Sequence, residues 1–293
     1  MGNNINTKLW DAARDGDEAT VRQCIEAGAT VDWRDEDGWT ALHQAAKYGH
    51  STVVRLLMNA GWSLWARNNH GRTPLSYIDT KLWDAARDGE EATVRQCIEA
   101  GATVDWRRDG VTALHWATKY GHTNVARLLV DAGWSRGARN NDGNTPQDYT
   151  DLKLCNAARD GDEATVRQYL EAGATVDWRV AGDWTALHRA AWGGHTDVAR
   201  LLVDAGWSLE GRAYAGWTPL TCAAEEAQLE TVKYLLLQGA QINTQDDAEW
   251  TPLHWASYLG HTEVVRLLLM SGASEKIKSK GRRGILSSGS CKE

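Results

Sequence analysis

Short bursts of apolar residues recur along the chain with helical spacing. Leu42, Ala45 and Ala46 fall at i, i+3 and i+4, one face of a short helix. Val53, Leu56 and Leu57 form the same kind of face on a second helix that starts near Thr52. Between them Gly49 suits the left-handed residue that ends a helix, and Gly61 ends the second one. Thr40 stands where an N-cap hydroxyl is wanted. In two later copies the capping Thr is followed by Pro219 or Pro252, whose fixed φ fits the first helical position. The polar run closed by Asn68-Asn69-His70-Gly71 predicts a tight projecting turn. Two small alanines on the first helix let a neighbouring helix come close. One such pair cannot bury its own apolar face, so the pattern predicts neighbours stacked on it.

The unit returns. TALHQAAKYGHSTVVRLLMNAGWSLWARNNHG begins at Thr40, and close copies begin at Thr112 and Thr185. Two variants open at Thr218 and Thr251, so the step from Thr185 onward is 33 residues. A fixed period of this length marks a stacked repeat array. The T-P-L-H-x-A motif, the following G-H, the V-x-x-L-L helix and the G-A-x-hydrophobic turn together resemble the ankyrin repeat. The resemblance covers nearly the whole chain. It implies an all-α fold, an α-solenoid of stacked helix–turn–helix repeats with projecting hairpin turns.

The period is interrupted twice. Residues 1–6 read as a polar tail, and residues 7–39 as a first repeat whose acidic outer residues suit the solvent-facing end of a stack. In this copy Trp10 and Asp32 replace the His and Asn that the resemblance would favour. After the repeat at 40–72, the stub TPLSYID (73–79) begins like a new repeat, but the sequence restarts at Thr80. Residues 80–107 copy residues 7–34 with one change, Asp17 to Glu90. A second stub, TPQDYTD (145–151), precedes a restart at Leu152. The expected organisation is eight full repeats in three blocks, 7–79, 80–151 and 152–281, with a basic tail at 282–293. Leu75 and Leu82 would share a face if one helix ran from Pro74 to Asp88. Against that stand Asp79-Thr80 and Thr150-Asp151, fresh N-cap residues at each restart. The expectation is therefore a short helix per stub, then a new helix from about residue 80 or 152.

Composition adds limits. Across 293 residues the net charge is −7 and 24% of residues are charged. That balance argues against wholesale binding to nucleic acid or membranes. No apolar run approaches the ~20 residues of a membrane span. MGNNIN nears an N-myristoylation pattern but has Asn6 where Ser or Thr is wanted. The basic cluster from Lys276 to Arg283 fits either a solvated terminal tail, the favoured reading, or a nuclear-import or acidic-partner patch. The expected compartment is the cytoplasm, with the nucleus as the alternative. Five cysteines without a CxxC fit reduced, buried thiols better than a disulfide frame or zinc site. Trp numbers 16 and Phe is absent. Trp33, Trp106 and Trp178 repeat one slot, and Trp62, Trp134 and Trp207 another, which points to structural roles multiplied by duplication.

Candidate chemistry is sparse. Eight of nine histidines belong to the repeat. By resemblance His43, His115, His188 and His254 brace the hairpins, and His50, His122, His195 and His261 also look structural; only His70 stands apart. Ligands repeated along a solenoid form a ladder and do not converge on one ion. Phosphate-binding loops, nucleophile elbows, H-E-x-x-H and calcium loops are missing from the sequence. No catalytic residue, metal or cofactor is expected. Asn243 occupies the hairpin slot that hydroxylases modify in some ankyrin proteins, but Gln241 stands where an acidic residue is preferred.

By resemblance, binding would use a concave face made from the outer positions of the first helices and the hairpin tips. Those positions are Gln44, Lys47 and Tyr48; Trp116, Lys119 and Tyr120; Arg189 and Trp192; Cys222, Glu225 and Glu226; Trp255, Tyr258 and Leu259. Tyr48, Trp116, Tyr120, Arg189, Trp192, Trp255 and Tyr258 are the candidate protein-binding residues, because exposed aromatics with interspersed Arg dominate interface energetics. Trp39, Trp184, Trp217 and Trp250 recur in one slot and are expected to pack between hairpins. The expected function is a non-enzymatic scaffold for protein partners, with a substrate-recruiting adaptor of a ubiquitin ligase or other multi-protein enzyme complex as the alternative. No nucleic-acid partner is expected, and the expected oligomeric state is a monomer.

Overall fold

The computed structural model describes residues 2–31 and 33–279. Asp32, and the basic cluster from residue 280 on, lie outside the described residues. The chain divides into two compact units, 1–149 and 150–293. In the first unit the helices are α1 (Gly2–Asp15), α2 (Glu18–Glu26), α3 (Ala41–Tyr48), α4 (Ser51–Asn59), α5 (Pro74–Asp88), α6 (Glu91–Glu99), α7 (Ala113–Tyr120) and α8 (Thr123–Asp131). Helix α9 (Pro146–Asp160) carries the point of division. The second unit continues with α10 (Glu163–Glu171), α11 (Ala186–Trp192), α12 (Thr196–Asp204), α13 (Pro219–Glu225), α14 (Leu229–Leu237), α15 (Pro252–Leu259) and α16 (Thr262–Met270). Odd-numbered helices are the first of each pair and even-numbered ones the second. A two-residue hairpin, β1 (Arg107–Arg108) with β2 (Val111–Thr112), is the one sheet among the described residues. Asp109 and Gly110 at its turn both have positive φ, 54° and 80°, as a twist-matched tight turn requires.

The repeat closes as its residues dictate. Thr40 caps α3: its hydroxyl accepts the His43 N–H, while His43 Nδ1 accepts the Thr40 N–H, a capping box built with histidine. The same box opens α7, α11 and α15. Gly49 ends α3 with φ +81°. At Gly89 the backbone passes under His122, and a Cβ there would lie 2.6 Å from the ring nitrogen. Asn68 closes its turn by accepting from the His70 and Arg72 N–H groups. Leu9, Leu42, Leu82 and Leu114 occupy corresponding buried slots of the first unit, as Leu187 and Leu220 do in the second. The small residues beneath them, an Ala pair in each case except Ala117–Thr118, are buried. On α4 the buried face is Val53, Val54 and Leu57; Leu56 is half-buried.

The stubs are not short separate helices. Residues 74–88 form one fifteen-residue helix, α5, and residues 146–160 form another, α9. The supposed N-cap residues use their side chains elsewhere. Asp79 Oδ1 and Oδ2 accept from the Thr103 N–H and hydroxyl at 2.7 and 2.9 Å, and Thr80 Oγ1 donates to the Ser76 carbonyl at 2.8 Å. With Leu75, Ile78, Leu82, Ala85 and Ala86 all buried, an unbroken apolar stripe holds the helix together. Residues 2–6, read as a tail, are the opening turns of α1. Asn6 there binds the Thr30 N–H at 2.8 Å, as Asp151 binds that of Thr175 at 2.6 Å. Each long first helix is thus clamped to the loop that follows its partner helix.

Candidate functional site

In the first unit aromatic side chains of the first helices, with Trp39 ahead of α3, gather into two groups. Trp39 packs on Tyr77 with ring centroids 5.3 Å apart, and Lys47 Nζ lies 5.0 Å from the Trp39 centroid and 5.3 Å from that of Tyr48. Further along, Trp116 stacks on Tyr120 at 5.4 Å and meets Trp83 edge-on at 5.2 Å. Lys119 Nζ sits 5.0 Å over Trp116, and Arg108 lies 5.2 Å over Trp83. Tyr48 is 47% and Tyr120 51% exposed, so both keep ring surface open to solvent; Trp116 is half-buried. Gln44, expected on the outer face, is buried. Between these groups an open cleft is lined by Lys47, Tyr77, Lys81, Asp84, Asp88 and Glu90.

In the second unit Tyr258 is 49% exposed, Leu259 is 42% exposed and Trp192 is half-buried. Arg189 is half-buried and donates to Asn156 Oδ1 at 3.5 Å. Trp255 corrects the sequence expectation of an outward side chain. It is 6% exposed, wedged between Trp217 and Trp250 at 5.0 Å each, with its indole N–H given to Asp246 Oδ2 at 2.8 Å. The helical period alone pointed it outward, but Trp250, just ahead of α15, and Trp217 of the preceding repeat fold over that slot. Trp39, Trp184 and Trp250 pack on the capping histidines of their own repeats, with centroids 5.7, 6.1 and 5.9 Å apart.

The polar groups of the repeat are mostly committed to structure. His43 Nε2 donates to the Arg72 carbonyl at 3.2 Å, and His115 does the same to Asn144. His50, His122, His195 and His261 each bond through Nε2 to a carbonyl of the preceding repeat, at 2.7 to 3.0 Å. Burial pushes the Cys97 thiol up to about 11 and that of Cys155 to about 12, the reverse of a reactive cysteine. Among the described residues no group of three His, Cys, Asp or Glu side chains could hold a metal ion. Asn243 Oδ1 accepts the Ser274 N–H at 2.9 Å and is a hairpin brace.

The sequence places Glu225 and Glu226 on the outer face but does not single them out as an acidic pair with a buried oxygen. Glu225 ends α13 beside Glu226, and its Oε2 is buried without a hydrogen-bond partner among the described residues. Burial, then the neighbouring Glu226 charge, pushes its carboxyl up to about 7. The signal was available: other first helices carry a basic residue in the last turn, such as Lys47, Arg87 and Lys119.

Family models for ankyrin repeats match residues 9–78, 80–149 and 154–246, and a single-repeat model matches 249–280. The chain belongs to the ankyrin repeat family. Ankyrin repeats are in general protein–protein interaction modules. Similar proteins include a probable E3 ubiquitin-protein ligase, XBOS33, of Oryza sativa subsp. japonica, 30% identical over 67% of this chain and 38% of that protein. A Caenorhabditis elegans homologue of transient receptor potential cation channel subfamily A member 1 is 29% identical over 59% of this chain and 13% of its own length. Human SH3 and multiple ankyrin repeat domains protein 2 is 30% identical over 47% of this chain and 7% of that protein. The chain thus spans a minor part of each of these relatives. No helix among the described residues is long and apolar enough to cross a membrane.

Proposed function

We propose that the chain is a non-enzymatic scaffold that binds a partner protein through the first-helix face of its ankyrin repeats. The observation that carries this is exposed first-helix aromatics in each unit: Tyr48 and Tyr120 at one slot in the first, and Tyr258 one position earlier in its repeat in the second, each about half exposed. Burying large apolar rings rimmed by charge is what protein interfaces reward. Trp116 stacks on Tyr120 in the first unit, and Arg189 and Trp192 lie on α11 in the second. A second reading, an adaptor that recruits substrate for a ubiquitin ligase, is favoured by the rice relatives named as probable ligases. Affinity capture followed by mass spectrometry tests the scaffold with the wild type and the Tyr48→Ala/Tyr120→Ala double variant. The variant is expected to keep its thermal melt and bind the captured partner at least ~10-fold more weakly, since an interface anchor is typically worth ~2 kcal/mol. Capture unchanged in the variant would remove this face from the binding site. Ligase subunits among the captured proteins would support the adaptor.

A further inference from the structure

The two units build their aromatic faces on the same scaffold, and one slot of the first helices sets apart the cations they carry. In α3 and α7 that slot holds Lys47 and Lys119, and each places its ammonium 5.0 Å from a tryptophan centroid, Trp39 and Trp116. The first unit therefore supplies its own cations to its own rings. In α11, α13 and α15 the same slot holds Trp192, Glu225 and Tyr258. Among the described residues no Arg or Lys lies over Trp192, Trp217, Trp250, Trp255 or Tyr258; the second unit's one such pair, Arg200 on Tyr234, involves the second helices. Arg189, the nearest cation along this face, is turned back toward Asn156.

The acidic pair is placed against the local physics. Glu225 and Glu226 stand at the C-terminal end of α13, where the helix dipole disfavours negative charge. Glu225 Oε2 is also out of water with nothing to accept. A half-desolvated carboxyl at the slot that Trp192 and Tyr258 fill in the neighbouring repeats is the complement of a cation: a guanidinium can bond the carboxylates in pairs and lie flat on a ring, and an ammonium can do each singly.

We propose that this face of the second unit receives an arginine or lysine side chain from a basic segment of a partner protein, held between the Glu225–Glu226 pair and the rings of Trp192 and Tyr258. The proposal rests on the scaffold reading and names the chemistry of the partner. The charge exchange at one repeat slot favours a basic segment over an acidic one, which this face would repel.

The test uses the full chain and fluorescence anisotropy with fluorescein-labelled nona-arginine at physiological ionic strength, with nona-glutamate as the negative probe. Because the protein carries a net charge of −7, some attraction is non-specific. Glu225→Gln/Glu226→Gln is therefore compared with Glu230→Gln/Glu263→Gln, which removes the same charge from the second helices. The first pair is expected to weaken nona-arginine binding about tenfold or more, as the loss of charge-assisted hydrogen bonds implies. The control pair should change it less than about twofold, within what screened surface charges contribute. Trp192→Ala should weaken binding, while Trp65→Ala, which removes an exposed ring of the first unit outside the first-helix face, leaves it unchanged. Equal losses in the two charge-matched variants would overturn the proposal by reducing the effect to net charge. If nona-arginine fails to displace a partner whose capture depends on Tyr48 and Tyr120, the scaffold stands and the cationic contact falls.

Discussion

His188 gives the repeat a measurable dependence on pH. Its ring is fully buried, and its hydrogen bonds fix its tautomer. Nδ1 accepts from the Thr185 N–H at 3.3 Å and lies 2.8 Å from the Thr185 hydroxyl, while Nε2 donates to the Gly211 and Trp217 carbonyls at 3.0 and 3.1 Å. A proton on Nδ1 would point at the Thr185 N–H. Desolvation is the main reason the imidazole is pushed down to about 4. The unfolded chain therefore binds a proton near pH 6.5 that the folded chain refuses until about pH 4. The stabilisation is fully present above 6.5 and lost as pH falls toward 4. At ~1.4 kcal/mol per pH unit the loss over that window is on the order of 3 kcal/mol. Glu225, held neutral to about pH 7, acts with the opposite sign: the folded state binds its proton more tightly, and stability falls as pH rises from about 4.5 to 7. A raw pH profile mixes the two, so the difference between wild type and His188→Asn is the measurement. The amide keeps an acceptor for the Thr185 N–H but cannot titrate. Urea unfolding followed by circular dichroism should show the variant less stable at pH 7.5, because two carbonyls lose their donor. That deficit should shrink by about 2 kcal/mol or more between pH 6.5 and 4.5. A deficit that stays constant across the range would show that His188 is not buried neutral.

Two further outcomes follow from side chains the structure relocates. Trp255→Ala should lower the unfolding midpoint by the ~3–5 kcal/mol typical of deleting a buried tryptophan, and should leave Asp246 without its indole donor; a melt unchanged from wild type would return Trp255 to the surface. Lys81→Pro should cost about 3 kcal/mol or more, because residue 81 lies in the middle of α5; the slot it shares with Pro219 and Pro252 would tolerate proline if a new helix began at Thr80, and Lys81→Ala controls for loss of the Nζ bond to the Tyr48 carbonyl.

The repeat itself was legible because each of its signals is local. Thr40, His43, Gly49 and Asn68 act within a few residues of themselves, and the structure places them in the roles their types suggest. Burial on the first-helix face was less legible. Trp116 and Trp255 share one slot, yet Trp116 is half-buried and Trp255 nearly covered. The difference lies in what precedes the helix: Val111 stands ahead of α7, whereas Trp250 stands ahead of α15 and closes over Trp255. A helical period reports direction from the axis and says nothing of what a neighbouring hairpin lays on top.

The long helix α5 shows the other limit. An unbroken helix with two extra turns displaces neighbouring elements by roughly 10 Å at 1.5 Å per residue. The structure accepts that displacement and divides it between the two sides of the helix. Its first half faces the repeat before it, with Tyr77 on Trp39 and Lys81 bonded to the Tyr48 carbonyl at 3.3 Å. Its second half faces the repeat after it, with Trp83 against Trp116 and the Arg87 carbonyl bonded to His122 at 3.0 Å. Each neighbour keeps its own register with the half it touches, so α3 and α7 sit a step apart along α5. The stub supplies the buried Leu75 and Ile78 that make the first half worth covering. Asp79, whose side chain would have capped a new helix, instead pins the extended helix to the loop at Thr103. The part of α5 that projects past the end of α3 is what lines the cleft with Lys81, Asp84 and Asp88. A seven-residue insertion preserves the helical face because seven residues are close to two turns. It therefore changes which repeats meet without exposing the core.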